Sequence, residues 1–262
     1  MRQEYDNVVI LDLETARSAE DCQHCGKSKE THGTGVAACH TPLFGLAVYK
    51  PIGWDNKVAL GLSIGCYWDT RDSRMHWFDV HTLEAAMRYF VATQPLLVSF
   101  NGIAFDFPLM RALLRHRAEE GLEKAGPGIG EAAYQARHAA ADQRERLELL
   151  CDTFQALCAT SYDILAEIWK VDPSRKFERG LNSLDAISQA NGLGAKEMTG
   201  AQAPLLWQQG RYAEVIGYCQ GDVEKTKALF DLVCAGQPVL RGDGQPITLR
   251  NPLAEAGNDE TS

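Results

Sequence analysis

The apolar residues in the first part of the chain fall into short runs that are separated by polar turns. Runs of this length, rich in β-branched and aromatic residues, are typical of β-strands. They predict strands at residues 8–14, 43–51, 58–69, 74–80 and 95–101. The run at 95–101 is almost wholly apolar, as in a strand that is buried on both faces.

Elsewhere the apolar residues recur every three or four positions, which is the spacing of one face of an α-helix. This spacing predicts helices at residues 82–94, 106–125, 160–170, 180–193 and 212–235. Between Gly126 and Leu157, a Gly/Pro break precedes an alanine-rich, charged helical pattern. We expect either an extended arm or lid there or, as we favour, a helix that packs on the domain with one solvated face. The order of the elements predicts an α/β fold with a mixed sheet flanked by helices.

Composition indicates a folded globular protein. A length of 262 residues is enough for one large α/β domain or two small ones. The 45% of apolar residues is enough for a substantial core. The formal net charge of −9 argues against a broadly basic surface. The chain shows no signal-peptide pattern and no apolar run near the roughly 20 residues that span a bilayer, so we expect a cytoplasmic protein without a membrane partner. The eight cysteines are then expected to be buried thiols or metal ligands.

Two acids, Asp12 and Glu14, stand at the end of the first predicted strand. Residues two apart in a strand point to the same face, so two like charges lie side by side where desolvation is costly. Asp106 lies at a predicted strand-to-helix junction, and Tyr218 and Asp222 are four apart on one helix face. Singly, these residues have ordinary explanations as a helix cap, a solvated acid and a packing tyrosine. Together they fit a site in which Mg²⁺ or Mn²⁺ neutralises four carboxylates, and two such ions can hydrolyse a phosphate ester.

The segments that carry these residues are DLE at 12–14, NGIAFD at 101–106 and YCQGD at 218–222. They resemble the three motifs of the DEDD (DnaQ-like) 3′–5′ exonuclease superfamily, in its tyrosine-type (DEDDy) branch. The surrounding sequence is similar to that of predicted exonucleases related to the proofreading domain of family B DNA polymerases. The resemblance covers most of the chain and implies two-metal hydrolysis at a nucleic-acid 3′ end.

The resemblance also implies a domain organisation. A ribonuclease H-like exonuclease domain would occupy residues 1–240. It would be interrupted by a Cys/His-rich, zinc-binding insertion at 19–51 and by a helical insertion at 126–157. Residues 241–262 would form a C-terminal extension that ends in a disordered tail.

By the same resemblance, the site residues have separate roles. Asp12, Glu14 and Asp222 would bind one metal ion, Asp12 would bridge to a second, and Asp106 would hold the second ion directly or through water. Tyr218 would orient the attacking water. Because a phenol has a pKa near 10, the metal must supply most of the activation.

A 3′-exonuclease must hold the end of single-stranded DNA or RNA through phosphate contacts and base stacking. The candidate contacts are Leu13, Asn101, Phe105, Arg175, Lys176 and Lys196. Leu13 points away from the two acids, and a core position is favoured over a substrate contact. The basic candidates also fit an ordinary solvated surface. Asp163 lies where relatives often carry an acid, and we favour a helix cap for it.

A second specific feature is the polar segment CQHCGKSKETHGTGVAACH at 22–40. Cysteine and histidine ligands at such spacing can complete a tetrahedral Zn²⁺ site, and a segment this poor in aliphatic residues needs a metal for stability. The predicted structural zinc ligands are Cys22, Cys25, His32 and Cys39. His24 and His40 are close enough to replace a ligand, and a mobile Cys/His-rich loop is the alternative.

The expected function is therefore metal-dependent 3′–5′ exonucleolysis of single-stranded nucleic acid, with DNA favoured. Two alternatives stay open. One is a 3′–5′ exoribonuclease, because discrimination of the 2′-OH depends on pocket shape. The other is a catalytically silent module that binds nucleic acid or protein through the zinc element.

Overall fold

The computed structural model describes residues 6–23, 49–126, 130–178, 180–195 and 198–255. Several predictions lie outside these residues. They are most of the strand at 43–51, the zinc ligands Cys25, His32 and Cys39, and the substrate contact Lys196.

A five-stranded mixed sheet forms the centre of the described structure. Its strands are β1 (Val8–Thr15), β2 (Leu62–Asp69), β3 (Arg74–Phe78), β4 (Leu96–Ser99) and β5 (Tyr162–Asp163). Their order across the sheet is β3-β2-β1-β4-β5. β2 is antiparallel to β1 and β3, whereas β4 is parallel to β1 and β5. A separate two-stranded ribbon joins β6 (Val239–Leu240) and β7 (Pro246–Ile247).

Helices cover both faces of the sheet. They are α1 (Lys57–Leu60), α2 (Leu83–Thr93), α3 (Asp106–Ala125), α4 (Glu131–Cys158), α5 (Ile164–Val171), α6 (Leu184–Ala190), α7 (Ala203–Gln208), α8 (Tyr212–Cys234) and α9 (Pro252–Glu255). None of these described helices combines the length and apolar character needed to cross a membrane.

The central strand β1 divides the core into two layers. Val8 and Ile10 belong to the apolar cluster that includes residues of α5, α6 and α8. Val9, Leu11 and Leu13 belong to the opposite cluster, with residues of α2, α3 and α4. This alternation is the two-residue period of a strand that is buried on both faces. It leaves Asp12 and Glu14 on the α8 side of the sheet.

Helix α4 packs against the domain through its C-terminal half, as the sequence favoured. Leu147, Leu150 and Phe154 are buried in the cluster beneath α2 and α3. Most of the first half is exposed. Whether the segment is an insertion into an ancestral domain stays a prediction.

The strand predicted at 58–69 begins later than expected. Residues 57–60 form the single-turn helix α1, and β2 begins at Leu62. The side chain of Asn56 accepts a hydrogen bond from the Ala59 amide, and Gly61 adopts a positive φ of 65° at the end of the turn. A side-chain cap and a left-handed glycine thus outweigh the strand preference of the apolar residues between them.

Candidate metal centre

Three carboxylates meet where β1 passes under α8. Oxygen atoms of Asp12, Glu14 and Asp222 lie within 4.8 Å of one another. Glu14 and Asp222 are buried, and Asp12 is half-buried. Asp12 and Glu14 share the strand face that packs against α8, which carries Asp222. The fold therefore gathers the acids that the sequence placed on one face and one helix, and this group can hold a metal ion.

Asp106 lines the same cavity but does not belong to this group of three. It is the first residue of α3 and is almost fully buried. Burial, reinforced by the charges of Asp12 and Asp163, raises the pKa of Asp106 well above its usual value. The amine of Lys57 acts in the opposite direction. A cation near Asp106 would favour its ionised form.

Tyr218 lies one helical turn before Asp222 on α8 and lines the cavity with it. A Cβ built on Gly200 would lie 3.9 Å from the Tyr218 hydroxyl oxygen. Gly200 lines the cavity as well, so the segment before α7 closes the site beside the phenol.

The cavity that joins these residues is open to solvent and has a volume of about 600 Å³. Most of the predicted catalytic and substrate residues line it: Asp12, Leu13, Glu14, Asn101, Phe105, Asp106, Tyr218 and Asp222. The side chain of Leu13 is also buried in the core, 5% exposed, as the sequence favoured.

Two predicted substrate contacts lie elsewhere. Arg175 forms ion pairs with Glu178 at 2.5 Å and with Asp243 at 2.7 Å. The amine of Lys176 lies 4.3 Å from the centre of the Trp169 ring. Neither residue lines the carboxylate cavity. As contacts to nucleic acid, these two residues stay a prediction.

Cys22 is the one predicted zinc ligand within the described residues. It is fully buried and forms an isolated backbone bridge with Pro51. The Cys/His-rich segment therefore leaves and rejoins the domain at adjacent points.

The loop between β4 and α3 is held by Asp163. The Asp163 carboxylate caps α5 by accepting a hydrogen bond from the Ala166 amide at 3.0 Å, which confirms the predicted cap. It also accepts hydrogen bonds from the amides of Asn101 at 3.1 Å and Ile103 at 3.0 Å. Asn101 has a φ of 72°, a left-handed conformation that asparagine tolerates well. Asp163 thus orders the loop that leads to Asp106.

A thiol next to the acids, that of Cys219, was not among the predicted site residues. The Cys219 sulfur lies 3.3 Å from the backbone oxygen of Asp12 and 3.7 Å from a carboxylate oxygen of the same residue. Burial raises the pKa of Cys219 well above its usual value, so the group stays a thiol and donates the hydrogen bond.

Trp54 and Lys57 also line the cavity and were not predicted. The signal was present in GWDNK at 53–57, where an aromatic and a basic residue flank two polar ones. The sequence could not show that this segment folds back over Phe105.

The raised pKa of Asp106 predicts how pH affects the metal-free protein. The folded state binds the Asp106 proton more tightly than the unfolded state, so this residue makes stability fall as pH rises through the raised pKa. In EDTA, we expect the native protein to gain stability relative to Asp106→Asn as pH is lowered from about 8 towards about 5.

The measurement is the difference between the melting temperatures of the two proteins at each pH. The difference is needed because carboxylates with a lowered pKa, such as Asp172, change stability in the opposite direction. A constant difference across this range would contradict the prediction. Asp231→Asn, an exposed substitution on α8, should reproduce the native pH profile.

The fold and the site define an α/β protein with a buried acidic group that can hold a metal ion. Comparisons of the chain with protein-family models, with curated proteins and with solved structures found no match in any of the three.

Proposed function

We propose that the protein is a metal-dependent 3′–5′ exonuclease that acts on single-stranded nucleic acid, with DNA as the expected substrate. One observation carries the proposal: Asp12, Glu14 and Asp222 converge within 4.8 Å, and Asp106 and Tyr218 line the same open cavity. An exposed set of acids has little need of a cation, whereas Glu14, Asp106 and Asp222 are all buried.

The topology supports a ribonuclease H-like fold, which we propose for this chain. Three antiparallel strands, β3, β2 and β1, continue into the parallel strands β4 and β5, and helices cover both faces. Such a sheet brings the end of β1 and the start of α3 to one edge.

The residues have complementary roles in this proposal. Asp12, Glu14 and Asp222 would hold one Mg²⁺ or Mn²⁺ ion, and Asp106 with Asp12 would hold a second. Ions bound there would polarise the phosphate and lower the pKa of water. Tyr218 would accept or donate a hydrogen bond to orient that water for in-line attack. The Cys219 thiol contacts the backbone oxygen and a carboxylate oxygen of Asp12, and these contacts would restrain the position of that ligand.

The proposal is tested with 5′-labelled single-stranded DNA and RNA of the same sequence, incubated with the protein and Mg²⁺ or Mn²⁺. A ladder that shortens from the 3′ end, and that EDTA abolishes, is the expected result. Preference for RNA would make the protein an exoribonuclease. If the protein bound DNA or RNA tightly but left both intact, the proposed enzymatic activity would be overturned and a catalytically silent binding module would be supported.

We also propose that the Cys/His-rich segment binds one structural Zn²⁺ through Cys22, Cys25, His32 and Cys39. The expectation rests on the spacing of the ligands in the sequence. Metal analysis of the purified protein should find about one zinc per chain, and Cys25→Ser should lower this content substantially. Cys151→Ser, which replaces a thiol buried between α3 and α4, is the matched control. Equal zinc content in all three proteins would contradict the assignment.

A further inference from the structure

One wall of the carboxylate cavity is aromatic and carries a cation. Trp54 is 65% exposed, although it is a large side chain at the mouth of a concave site. Its ring lies edge-on to Phe105, with 5.8 Å between the ring centres and 72° between the planes. The amine of Lys57 lies 3.9 Å from the centre of the Phe105 ring. Trp54 is therefore supported from one side and open to solvent on the other.

The segment that presents this wall is anchored to the domain. The Arg17 amide donates to the Leu60 oxygen at 2.9 Å, and the Gly53 amide donates to the Ala19 oxygen at 2.8 Å. Beneath these hydrogen bonds, Ala19 and Leu60 are buried together with Ile52 in a small apolar cluster. Phe105 packs against the same cluster, so Trp54 and the loop before α3 are held by one set of contacts.

The charges around the cavity are unbalanced. Five acids line it, namely Asp12, Glu14, Asp55, Asp106 and Asp222. Among the described lining residues, Lys57 is the one lysine or arginine. Burial lowers the pKa of Lys57, while the charges of Asp55 and Asp106 act in the opposite direction. An incoming phosphate would meet one protein cation on this wall.

We propose that Trp54 and Lys57 select an unpaired nucleotide at the carboxylate site: the indole stacks on its base, and the ammonium group contacts its phosphate. This inference rests on the proposed function for the identity of the substrate class. Stacking needs a free π-face on the base and tolerates any base identity. A terminal base in a duplex is already paired, and it must first leave its partner, which costs free energy. The wall therefore favours frayed or single-stranded ends over blunt duplex ends.

The test measures binding in the Asp222→Asn background, in which hydrolysis is expected to be more than about 100-fold slower. The probes are fluorescein-labelled oligothymidylate and the same oligonucleotide with an abasic 3′-terminal residue, both with Mg²⁺. We expect Trp54→Ala to weaken binding of the first probe about tenfold, the order of magnitude that stacking of one base contributes. The abasic probe should already bind weakly to the protein that retains Trp54, and Trp54→Ala should lower its affinity little further.

Two further variants separate stacking from structural damage. Trp54→Phe should recover most of the binding, because a phenyl ring also offers a stacking face. Trp77→Ala is the matched control, since Trp77 is 60% exposed but lies on the edge strand β3 and does not line this cavity. If Trp54→Ala behaved like Trp77→Ala, or weakened both probes equally, stacking on Trp54 would be excluded.

Lys57 has a separate signature, which is the salt dependence of binding. Lys57→Met should make the slope of log affinity against log salt concentration shallower by about the amount that one phosphate contact contributes. Lys57→Arg should keep the native slope. An unchanged slope would overturn the phosphate contact. If the native protein hydrolyses neither DNA nor RNA but the Trp54 dependence is present, the proposed function fails and this inference stands. Hydrolysis without any Trp54 or Lys57 dependence would overturn the inference alone.

Discussion

Replacing Asp222 with Asn is expected to lower the rate of 3′-end hydrolysis by more than about 100-fold. Mutation of residues that merely support metal ligands typically costs about 10- to 100-fold in metal affinity or activity, so loss of a direct ligand should cost more. Asp222 is 2% exposed, and its carboxylate oxygen lies within 4.8 Å of those of Asp12 and Glu14. The substitution keeps the shape of the side chain and removes one of the charges that would hold the ion.

The same substitution should not destabilise the metal-free protein. Three carboxylates within 4.8 Å repel one another in the absence of a cation, and the amide removes part of this repulsion. We therefore expect the melting temperature in EDTA to be unchanged or higher. Addition of Mn²⁺ should raise the melting temperature of the native protein more than that of the variant.

The readouts are the hydrolysis rate on 5′-labelled single-stranded DNA and the melting temperature with and without Mn²⁺. Asp231→Asn is the matched control, because Asp231 is exposed on the same helix and pairs with Lys227 at 2.8 Å. Native activity in Asp222→Asn would remove this residue from the metal site. Loss of activity together with a large fall in stability in EDTA would point to a folding role instead.

The sequence could predict which site residues lie on the same face of a single strand or helix. Asp12 and Glu14 share a strand face because strands repeat every two residues, and Tyr218 and Asp222 share a helix face because they are four apart. The structure confirms that these faces meet at α8. Strands β1 to β4 and most of the helices were predictable for the same reason, since both depend on the periodicity of apolar residues. The short strand β5 (Tyr162–Asp163) was not, because it lies within the segment predicted as a helix at 160–170.

The residues that were missed depend on long-range folding. Trp54 lines the cavity because hydrogen bonds return its segment to the end of β1, and no local pattern encodes that return. Cys219 follows Tyr218 in sequence, but its contact with Asp12 depends on how α8 packs against β1. The misplaced start of β2 has a local cause, a side-chain cap by Asn56, that competed with the apolar pattern.

Replacing Asp163 with Ala is expected to lower the free energy of unfolding by about 3–5 kcal/mol, because several buried donors lose their acceptor and each unsatisfied donor costs about 1–3 kcal/mol. The carboxylate is 3% exposed and serves partners on three elements. It accepts hydrogen bonds from the Ser99 hydroxyl on β4, from the Asn101 amide in the loop and from the Ala166 amide in α5. Alanine leaves these donors without their acceptor.

The substitution should affect the proposed metal site as well as the stability. The loop that Asp163 holds runs directly into Asp106, and Gly102 within it fits tightly against Ser99, where a Cβ would come within 2.5 Å of the hydroxyl oxygen. A loosened loop would let Asp106 move from its place in the cavity. We therefore expect hydrolysis to fall by about 10- to 100-fold at temperatures where Asp163→Ala is still folded.

Chemical denaturation and hydrolysis rates measured on the same samples test this coupling. Asp163→Asn should be intermediate in both, because its remaining oxygen can still cap α5 but its NH₂ group faces a loop amide. Asp79→Ala is the control, since Asp79 also accepts hydrogen bonds from backbone amides ahead of a helix, those of His81 and Thr82, but lies away from the cavity. It should cost about 1 kcal/mol and leave hydrolysis unchanged. If Asp163→Ala lost stability to the expected extent and kept native activity when folded, the position of Asp106 would not depend on this carboxylate, and Asp163 would serve the fold alone.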